Sequence, residues 1–172
     1  MSDDLQVHRE QIDRLDDQIL RLLNERSKSV IEIGRLKKLK DAEANLHTPA
    51  REAAIFDRLS KQNTGPFPTE AIRAVYREIM SASLSLEGPQ KVAYLGPRAT
   101  FTHMACMQKF GASAHYIPVN SIKDVFSEVE RGRAHFGVVP IENSSGGFIV
   151  DTVDRLVDER CGLHILEELT LD

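Results

Sequence analysis

The first forty residues hold the feature that most limits how this chain can fold. From Leu5 to Leu39 the sequence has no proline and a single glycine, Gly34, so little interrupts a helix. Apolar side chains recur at spacings of three and four residues, the period of one helical stripe: Leu5, Ile12, Leu15, Ile19, Leu22 or Leu23, Val30, Ile33 and Leu36. The stretch predicts one amphipathic helix of about 35 residues, about 50 Å long.

The length of this helix has a consequence for assembly. The shorter segments that follow cannot cover an apolar stripe about 50 Å long. The simplest cover is a second copy of the same helix, packed antiparallel, so we expect an intertwined homodimer. Arg9 lies 17 residues before Arg26, and about 25 Å along the axis is too far for both to share one small ligand within a subunit. In an antiparallel dimer, Arg9 would reach the site of the partner subunit instead.

Two cations interrupt the apolar stripe. Arg26 follows Leu22 by four residues, and Lys37 follows Ile33 by four. They are about three turns apart, roughly 16 Å at the backbone, and both side chains are long enough to lean toward a common point. Either cation alone can be explained by an aliphatic side chain that lies along the helix and places its charged group in water. Two on one stripe favour a buried site for a small anion.

A second, shorter helix is predicted from Pro49 to about Gln62, with Thr48 as its N-cap. Arg51 and Glu52 fall in its first turn. The helix dipole explains an acid at this position, but it does not explain the arginine beside it.

The third helix is predicted from Thr69, as its cap, to about Leu86. Ser83 and Glu87 are one turn apart and continue its apolar face, where a core-facing helix would prefer leucine. Burying these acids and cations without a ligand would cost several kcal/mol each. One polar pocket for a small dianion inside a helical bundle accounts for all of them.

Short strands alternate with helices after the turn residues 87–90. The predicted strands are Lys91–Leu95, His115–Val119, Phe136–Pro140 and Leu163–Leu166, and the predicted helices are Phe101–Phe110, Ser121 to about Arg131, and Phe148 to about Glu159. This alternation predicts an α/β domain with a parallel sheet. Loops 96–100 and 143–147 should then lie at the C-terminal ends of strands, each at a helix N-terminus suited to an anion. The geometry of strand-to-helix turns alone also explains their glycines.

Composition limits the classes of function. A net charge of -4 provides no general basic field for nucleic acid or an anionic membrane. No apolar run reaches membrane-spanning length, and the N-terminus lacks a signal-peptide pattern. Cys106 and Cys161 show no metal or CxxC spacing, and the six histidines are scattered. We therefore expect no metal, and a reduced, cytoplasmic setting.

The first half resembles the all-helical class of chorismate mutase. The segments that carry the resemblance are VHREQIDRLDDQIL, LLNERSKSVIEIGRLK, PARE and IMSASLSLE, which cover nearly all of residues 5–88. The resemblance implies three helices per subunit, an intertwined dimer with two active sites, and chorismate as the substrate. It also implies a substrate clamp from the partner subunit at Arg9, carboxylate binding at Arg26, an ether-oxygen contact at Lys37, and further substrate contacts at Arg51, Glu52, Ser83 and Glu87. Thr48 stands where some members have Asp.

The chemistry of that family suits these residue types. Conversion of chorismate to prephenate is a unimolecular rearrangement that needs no nucleophile, metal or cofactor. The enzyme must hold the enolpyruvyl side chain over the ring and stabilise charge on the ether oxygen as the C–O bond breaks. Arginines match the two carboxylates bidentately, Lys37 donates to the ether oxygen, and Glu52 accepts from the ring hydroxyl. Glu87 helps only as a neutral acid, so burial should keep it protonated, and activity should fall as pH rises.

The second half resembles the front of a prephenate dehydratase domain, on KVAYLGPRATFTHMA and FGVVPIENSSGGFIVDTVDRL. The chain as a whole then resembles the bifunctional chorismate mutase–prephenate dehydratase family of phenylalanine synthesis, with a helical mutase domain over residues 1–88 and the N-terminal part of a dehydratase-like domain over residues 89–172. The resemblance places Thr100, Asn143 and Ser144 in substrate loops, and Ala99 where many members have Gly. The family's Thr-Arg-Phe motif and phenylalanine-sensing domain lie beyond Asp172, so we expect neither dehydratase activity nor inhibition by phenylalanine.

Two other classes of function fit the same pattern. One is a non-catalytic helical dimerisation module tethered to a small-molecule-binding α/β lobe. The other is a lobe that only senses an aromatic acid and binds it without turnover. The stripe cations discriminate between the classes, because a pure dimerisation helix would accept leucine at Arg26 and Lys37.

Overall fold

The structure is a computed structural model, and it describes residues 2–40, 49–88, 90–144, 146–159 and 161–171. The chain separates into two compact units, residues 1–47 and residues 48–172. The first contains one helix, α1 (Ser2–Lys40). The second contains α2 (Pro49–Gln62), α3 (Thr69–Ser85), β1 (Lys91–Leu95), α4 (Phe101–Phe110), β2 (His115–Val119), α5 (Ile122–Glu130), β3 (Phe136–Val138), β4 (Glu142–Asn143), β5 (Gly147–Phe148) and α6 (Val150–Val157).

Helix α1 confirms the prediction of one uninterrupted helix, which ends at Lys40 as expected. Its 39 residues give a length of about 58 Å. The apolar stripe is exposed in the single chain, with exposed fractions of 54% at Leu5, 56% at Ile12, 49% at Leu15, 54% at Ile19, 56% at Leu22, 53% at Ile33 and 48% at Leu36. Among the described helices, none is long and apolar enough to cross a bilayer.

Helices α2 and α3 pack against each other and begin where the sequence predicts. The guanidinium of Arg73 lies over the ring of Phe56 at 5.1 Å, a cation–π contact between the two helices. The predicted cap is wrong by one residue: Pro68 occupies the N-cap position of α3 without a side-chain bond. The hydroxyl of Thr69 instead accepts from the Asn63 amide at 3.1 Å, because the intervening loop folds back on the end of α2. The predicted cap Thr48 of α2 lies outside the described residues.

The α/β lobe is built on a parallel sheet, as predicted. In the part of the chain that the structure describes, this sheet has the order β2-β1-β3. Central strand β1 is apolar at consecutive positions because both of its faces are covered. Val92 and Tyr94 pack with Cys106 and Phe110 on the α4 side, whereas Ala93 packs with Val125 of α5 and its neighbours on the other side.

Two helices of the lobe begin at a hydroxyl side chain that caps the helix. Ser121 accepts from the backbone N–H of Asp124 at 3.1 Å and so caps α5 at the predicted start of this helix. Thr100 caps α4 and accepts from the backbone N–H of His103.

Two parts of the predicted lobe are wrong. Residues 163–166 form no strand among the described residues, because their backbone pairs with no neighbouring strand there; Ile165 stays 69% exposed. Residues 143–147, predicted as a loop before a helix, belong to a two-stranded antiparallel hairpin in which Glu142 pairs with Phe148 and Asn143 with Gly147. The positive φ of 71° at Gly147 is open to glycine at no steric penalty. Helix α6 consequently starts at Val150.

Candidate functional site

The three predicted cations of α1 differ in exposure. Arg26 and Lys37 are partly buried, whereas Arg9 is exposed. The partial burial of the first two agrees with their position on the apolar stripe, between stripe residues that are about half exposed. Neither cation extends fully into solvent, as a simple surface lysine or arginine would. Both retain the charge and reach needed to bind a carboxylate.

The predicted polar residues of α3 lie at its C-terminal end. Ser83 is buried, at 5% exposure, and its hydroxyl donates to the Ile79 carbonyl at 2.6 Å. Its oxygen lone pairs can still accept a hydrogen bond. Glu87 follows the last residue of the helix, and its Oε2 is fully buried. The Glu87 amide donates to the Leu84 carbonyl at 3.0 Å, which holds this turn against the helix end.

Arg51 and Glu52 share the first turn of α2 but lie in different surroundings. Arg51 is exposed, and Glu52 is partly buried. The Glu52 Oε2 lies 3.8 Å from the ammonium of Lys109, which also forms an ion pair with Glu167. Lys109 belongs to the last turn of α4, in the half of the sequence that resembles a dehydratase. No sequence pattern pointed to Lys109, because a lysine in a last helical turn is explained by the helix dipole.

A second contact joins α3 to the end of α4 within the same unit. The Ala112 amide donates to the Glu78 carboxylate at 2.8 Å, and the Ser113 amide donates to the Ser81 hydroxyl at 3.2 Å. Directly before these two residues, Gly111 has a φ of 72° and lies so close to α3 that a Cβ there would be 2.7 Å from the Cβ of Ser81. Only glycine combines this backbone angle with so close an approach.

Thr100 lies at the predicted strand end, after β1. Besides capping α4, its hydroxyl donates to the Pro97 carbonyl at 3.0 Å. Residues at the C-terminal ends of β1 and β2 line an open cleft of about 670 Å³: Gly96, Pro97, Arg98, Pro118, Val119 and Asn120. This edge is where parallel α/β sheets bind ligands, and Arg98 supplies a cation there.

Asn143 and Ser144 are exposed at the turn of the β4–β5 hairpin. The prediction that this loop adjoins a helix N-terminus is wrong, because β5 intervenes and Ile149 occupies the N-cap position of α6 without a side-chain bond. Any ligand contact of these two residues must come from the hairpin itself.

Neither metal nor thiol chemistry has support in the lobe. The described residues contain no group of three or more His, Cys, Asp and Glu side chains that could hold a metal ion. Burial raises the pKa of the Cys106 thiol to about 12, so this cysteine stays protonated and poorly nucleophilic. Burial also raises the pKa of Tyr116, whose hydroxyl donates to the Gly111 carbonyl at 2.5 Å.

Comparison with known proteins identifies two families along the chain. The family model for chorismate mutase type II matches residues 8–88, and the model for prephenate dehydratase matches residues 92–172. A bifunctional chorismate mutase/prephenate dehydratase of Aquifex aeolicus is 50% identical over 162 residues, which are 91% of this chain and 44% of the relative. Its counterpart in Neisseria gonorrhoeae is 41% identical over 162 residues, with 92% and 44% covered. The solved chorismate mutase (form II) of Thermus thermophilus is 43% identical, covers 48% of this chain with 92% of its own, and gives a TM-score of 0.45.

The fold is therefore a helical region followed by a small α/β region with a parallel sheet. The chain belongs to the chorismate mutase type II family over residues 8–88 and to the prephenate dehydratase family over residues 92–172. It spans less than half the length of the bifunctional relatives described above, 44% in both cases.

Proposed function

We propose that the helical region of this chain converts chorismate to prephenate, as a step in phenylalanine synthesis. The family match over residues 8–88 supports this activity. The single structural observation that supports it most is the partial burial of Arg26 and Lys37 on an apolar stripe. Both cations lie on a face that is otherwise apolar, and guanidinium and ammonium groups bind carboxylates, of which chorismate carries two.

In this proposal each polar residue has one task. Arg26 and Arg51 bind carboxylate groups of the substrate, because guanidinium matches a carboxylate bidentately. Lys37 donates to the ether oxygen, where negative charge grows as the C–O bond breaks. Glu52 accepts from the ring hydroxyl, and Ser83 adds a hydrogen bond that restricts the flexible substrate.

We assign Glu87 the role of a neutral acid that donates to the same ether oxygen. Two features of its position disfavour the carboxylate form. Its Oε2 is buried, which penalises charge. The residue also follows the C-terminal end of α3, where the helix dipole is negative and repels an anion.

We propose a homodimer in which the α1 stripes of two subunits pack together. The support is the stripe itself, since seven of its residues each expose about half of their surface in the single chain. Burying so long an apolar face is the expected driving force. The exposed Arg9 then contributes to the site of the partner subunit.

A turnover assay with two matched variants tests the mutase proposal. Purified protein should consume chorismate, measured as loss of its absorbance. Lys37→Ala should lower kcat/KM by roughly 100-fold or more, as expected for loss of a donor to a charge that grows in the transition state. Lys38→Ala, at an exposed position next to it, should change kcat/KM by less than about twofold, as exposed surface charges do. Absence of turnover in the wild type, or equal losses in both variants, would contradict the proposal.

The second candidate is a non-catalytic dimerisation helix with a ligand-binding α/β lobe. The open cleft at the ends of β1 and β2, with Arg98 at its edge, favours some binding of an anion there. This candidate predicts binding of an aromatic acid without turnover, and a Lys37→Leu variant whose dimer is as stable as the wild type or more so.

For dehydration of prephenate, the 172 residues contain no Thr-Arg-Phe sequence, the motif that the family resemblance assigns to that reaction. We therefore propose that a polypeptide of these residues forms no phenylpyruvate from prephenate. The domain boundary at residues 88 and 89, the cytoplasmic setting and the lack of a cofactor remain predictions.

A further inference from the structure

We propose that Lys109, in the dehydratase-like region, is a positioning residue for the mutase reaction because it orients the carboxylate of Glu52. The inference rests on the proposed function, in which Glu52 accepts a hydrogen bond from the ring hydroxyl of chorismate. It assigns a task in the helical region to a side chain from the α/β lobe.

The contact lies away from bulk solvent. The side chains of Glu52 and Lys109 expose only 16% and 17% of their surface, and their charged atoms are 3.8 Å apart. A pair this shielded is screened by salt far less than an exposed one. The attraction should therefore restrict the Glu52 side chain to one orientation.

A lysine contact leaves Glu52 able to bind a hydroxyl. A carboxylate has two oxygens with about four acceptor positions, so an ion pair with an ammonium does not exclude accepting a hydrogen bond from the substrate. Without the lysine, the carboxylates of Glu52 and Glu167 would lose the ammonium that pairs with both of them. Repulsion between the two acids would then turn the Glu52 side chain away from the orientation that the substrate needs.

The structure around α4 fixes the position of the lysine. The backbone after α4 is held against α3 by the bonds from Ala112 to Glu78 and from Ser113 to Ser81. Lys109 therefore projects from a helix end whose position relative to α2 and α3 is set by several contacts. This anchoring distinguishes it from a lysine that meets an acid only by chance.

Lys109 also contacts Glu167, so a purely structural role is the rival. In that role Lys109 ties the segment around Glu167 to α4, and the contact with Glu52 is incidental. The two roles predict different results for one variant. Glu167→Gln removes the ion pair between Lys109 and Glu167 but keeps the lysine charge beside Glu52. It should therefore raise KM if the role is structural and leave KM unchanged if the role is positioning.

The test measures chorismate KM and kcat for four variants of the full chain. Lys109→Gln should raise KM by roughly three- to tenfold with a smaller change in kcat, since loss of one partly buried charge contact changes binding on this scale. Lys109→Arg should restore KM to within about twofold, because it keeps the charge. Glu167→Gln, and the exposed control Lys123→Gln, should leave KM within about twofold of the wild type.

A double-variant cycle identifies the partner. In a Glu52→Gln background, Lys109→Gln should change KM by less than about twofold, because the group it orients is gone. A wild-type KM in Lys109→Gln, a rise in Glu167→Gln as large as in Lys109→Gln, or an undiminished effect in the Glu52→Gln background would each overturn the inference. Wild-type protein that binds chorismate but does not turn it over would instead overturn the proposed function, and the inference with it.

Discussion

The close approach of Gly111 to α3 gives a prediction whose magnitude follows from the structure. In Gly111→Ala the backbone angles, φ 72° and ψ −175°, lie in a region used almost only by glycine and cost about 1–3 kcal/mol for a residue with a Cβ. The new Cβ would also lie 2.7 Å from the Cβ of Ser81 and 3.0 Å from the Glu78 carboxylate, and relief of such overlap costs about 1–3 kcal/mol. The free energy of unfolding should therefore fall by about 4 kcal/mol.

Gly132→Ala is the matched control. Gly132 has a similar φ of 68°, yet nothing lies within 4 Å of a Cβ built there. It should lose only about 1 kcal/mol, from its positive φ. Urea unfolding of both variants measures the difference in the free energy of unfolding, expected to be about 3 kcal/mol at an unchanged m value. Equal losses within about 0.5 kcal/mol, the usual scatter of independent effects, would refute the close packing of α3 on the end of α4.

Three further predictions concern titration, strain and thiol reactivity. Mutase activity should fall between mildly acidic and alkaline pH, because in the proposed role only the neutral form of Glu87 donates, and Glu87→Gln should flatten this kcat/KM profile; a flat wild-type profile would remove this role. Ala99→Gly should raise the free energy of unfolding by about 0.5–1 kcal/mol, measured as a higher urea midpoint. The reason is that the strain of the positive φ of 65° in alanine exceeds the extra conformational entropy that glycine loses on folding; a lower midpoint would contradict this prediction. The pKa of Cys106 is raised by burial from 9.0 to about 12. The protonated thiol therefore makes its full contribution to the free energy of unfolding below pH 9, and this contribution is lost as pH rises toward 12. A thiol reagent at neutral pH should accordingly modify Cys161 and leave Cys106 unmodified until urea is added. Equal rates of modification at the two cysteines in the folded protein would contradict this prediction.

The parts of the fold that the sequence predicts well are those with a strong period. The stripe of α1 repeats over its whole length, and no proline or alternative period competes with it. Strand β1 is predicted because a short apolar run between turn residues suits a strand covered on both faces, as Val92, Ala93 and Tyr94 are. The start of α5 at Ser121 is predicted because helix capping involves residues only three positions apart.

The parts that the sequence does not predict depend on tertiary contacts. The β4–β5 hairpin has strands of two residues each, too short for a period of two to appear. Residues 163–166 have the apolar composition of a strand, but a strand also needs a neighbour with which to pair. The ion pair between Glu52 and Lys109 joins residues far apart in the chain, and local sequence carries no information about such a meeting.

In the proposed site, cations on the apolar stripe of α1 bind a small dianion, and a second subunit completes the site. An equal mixture of two variants tests this arrangement. Arg9→Ala and Lys37→Ala proteins, each expected to be nearly inactive alone, are unfolded together, refolded as an equal mixture, and assayed with chorismate. If Arg9 serves the partner's site, about half of the dimers are mixed and each has one intact site of two, so activity should return to about a quarter of the wild-type value. Activity no higher than that of the separate variants would mean that Arg9 does not serve the partner's site.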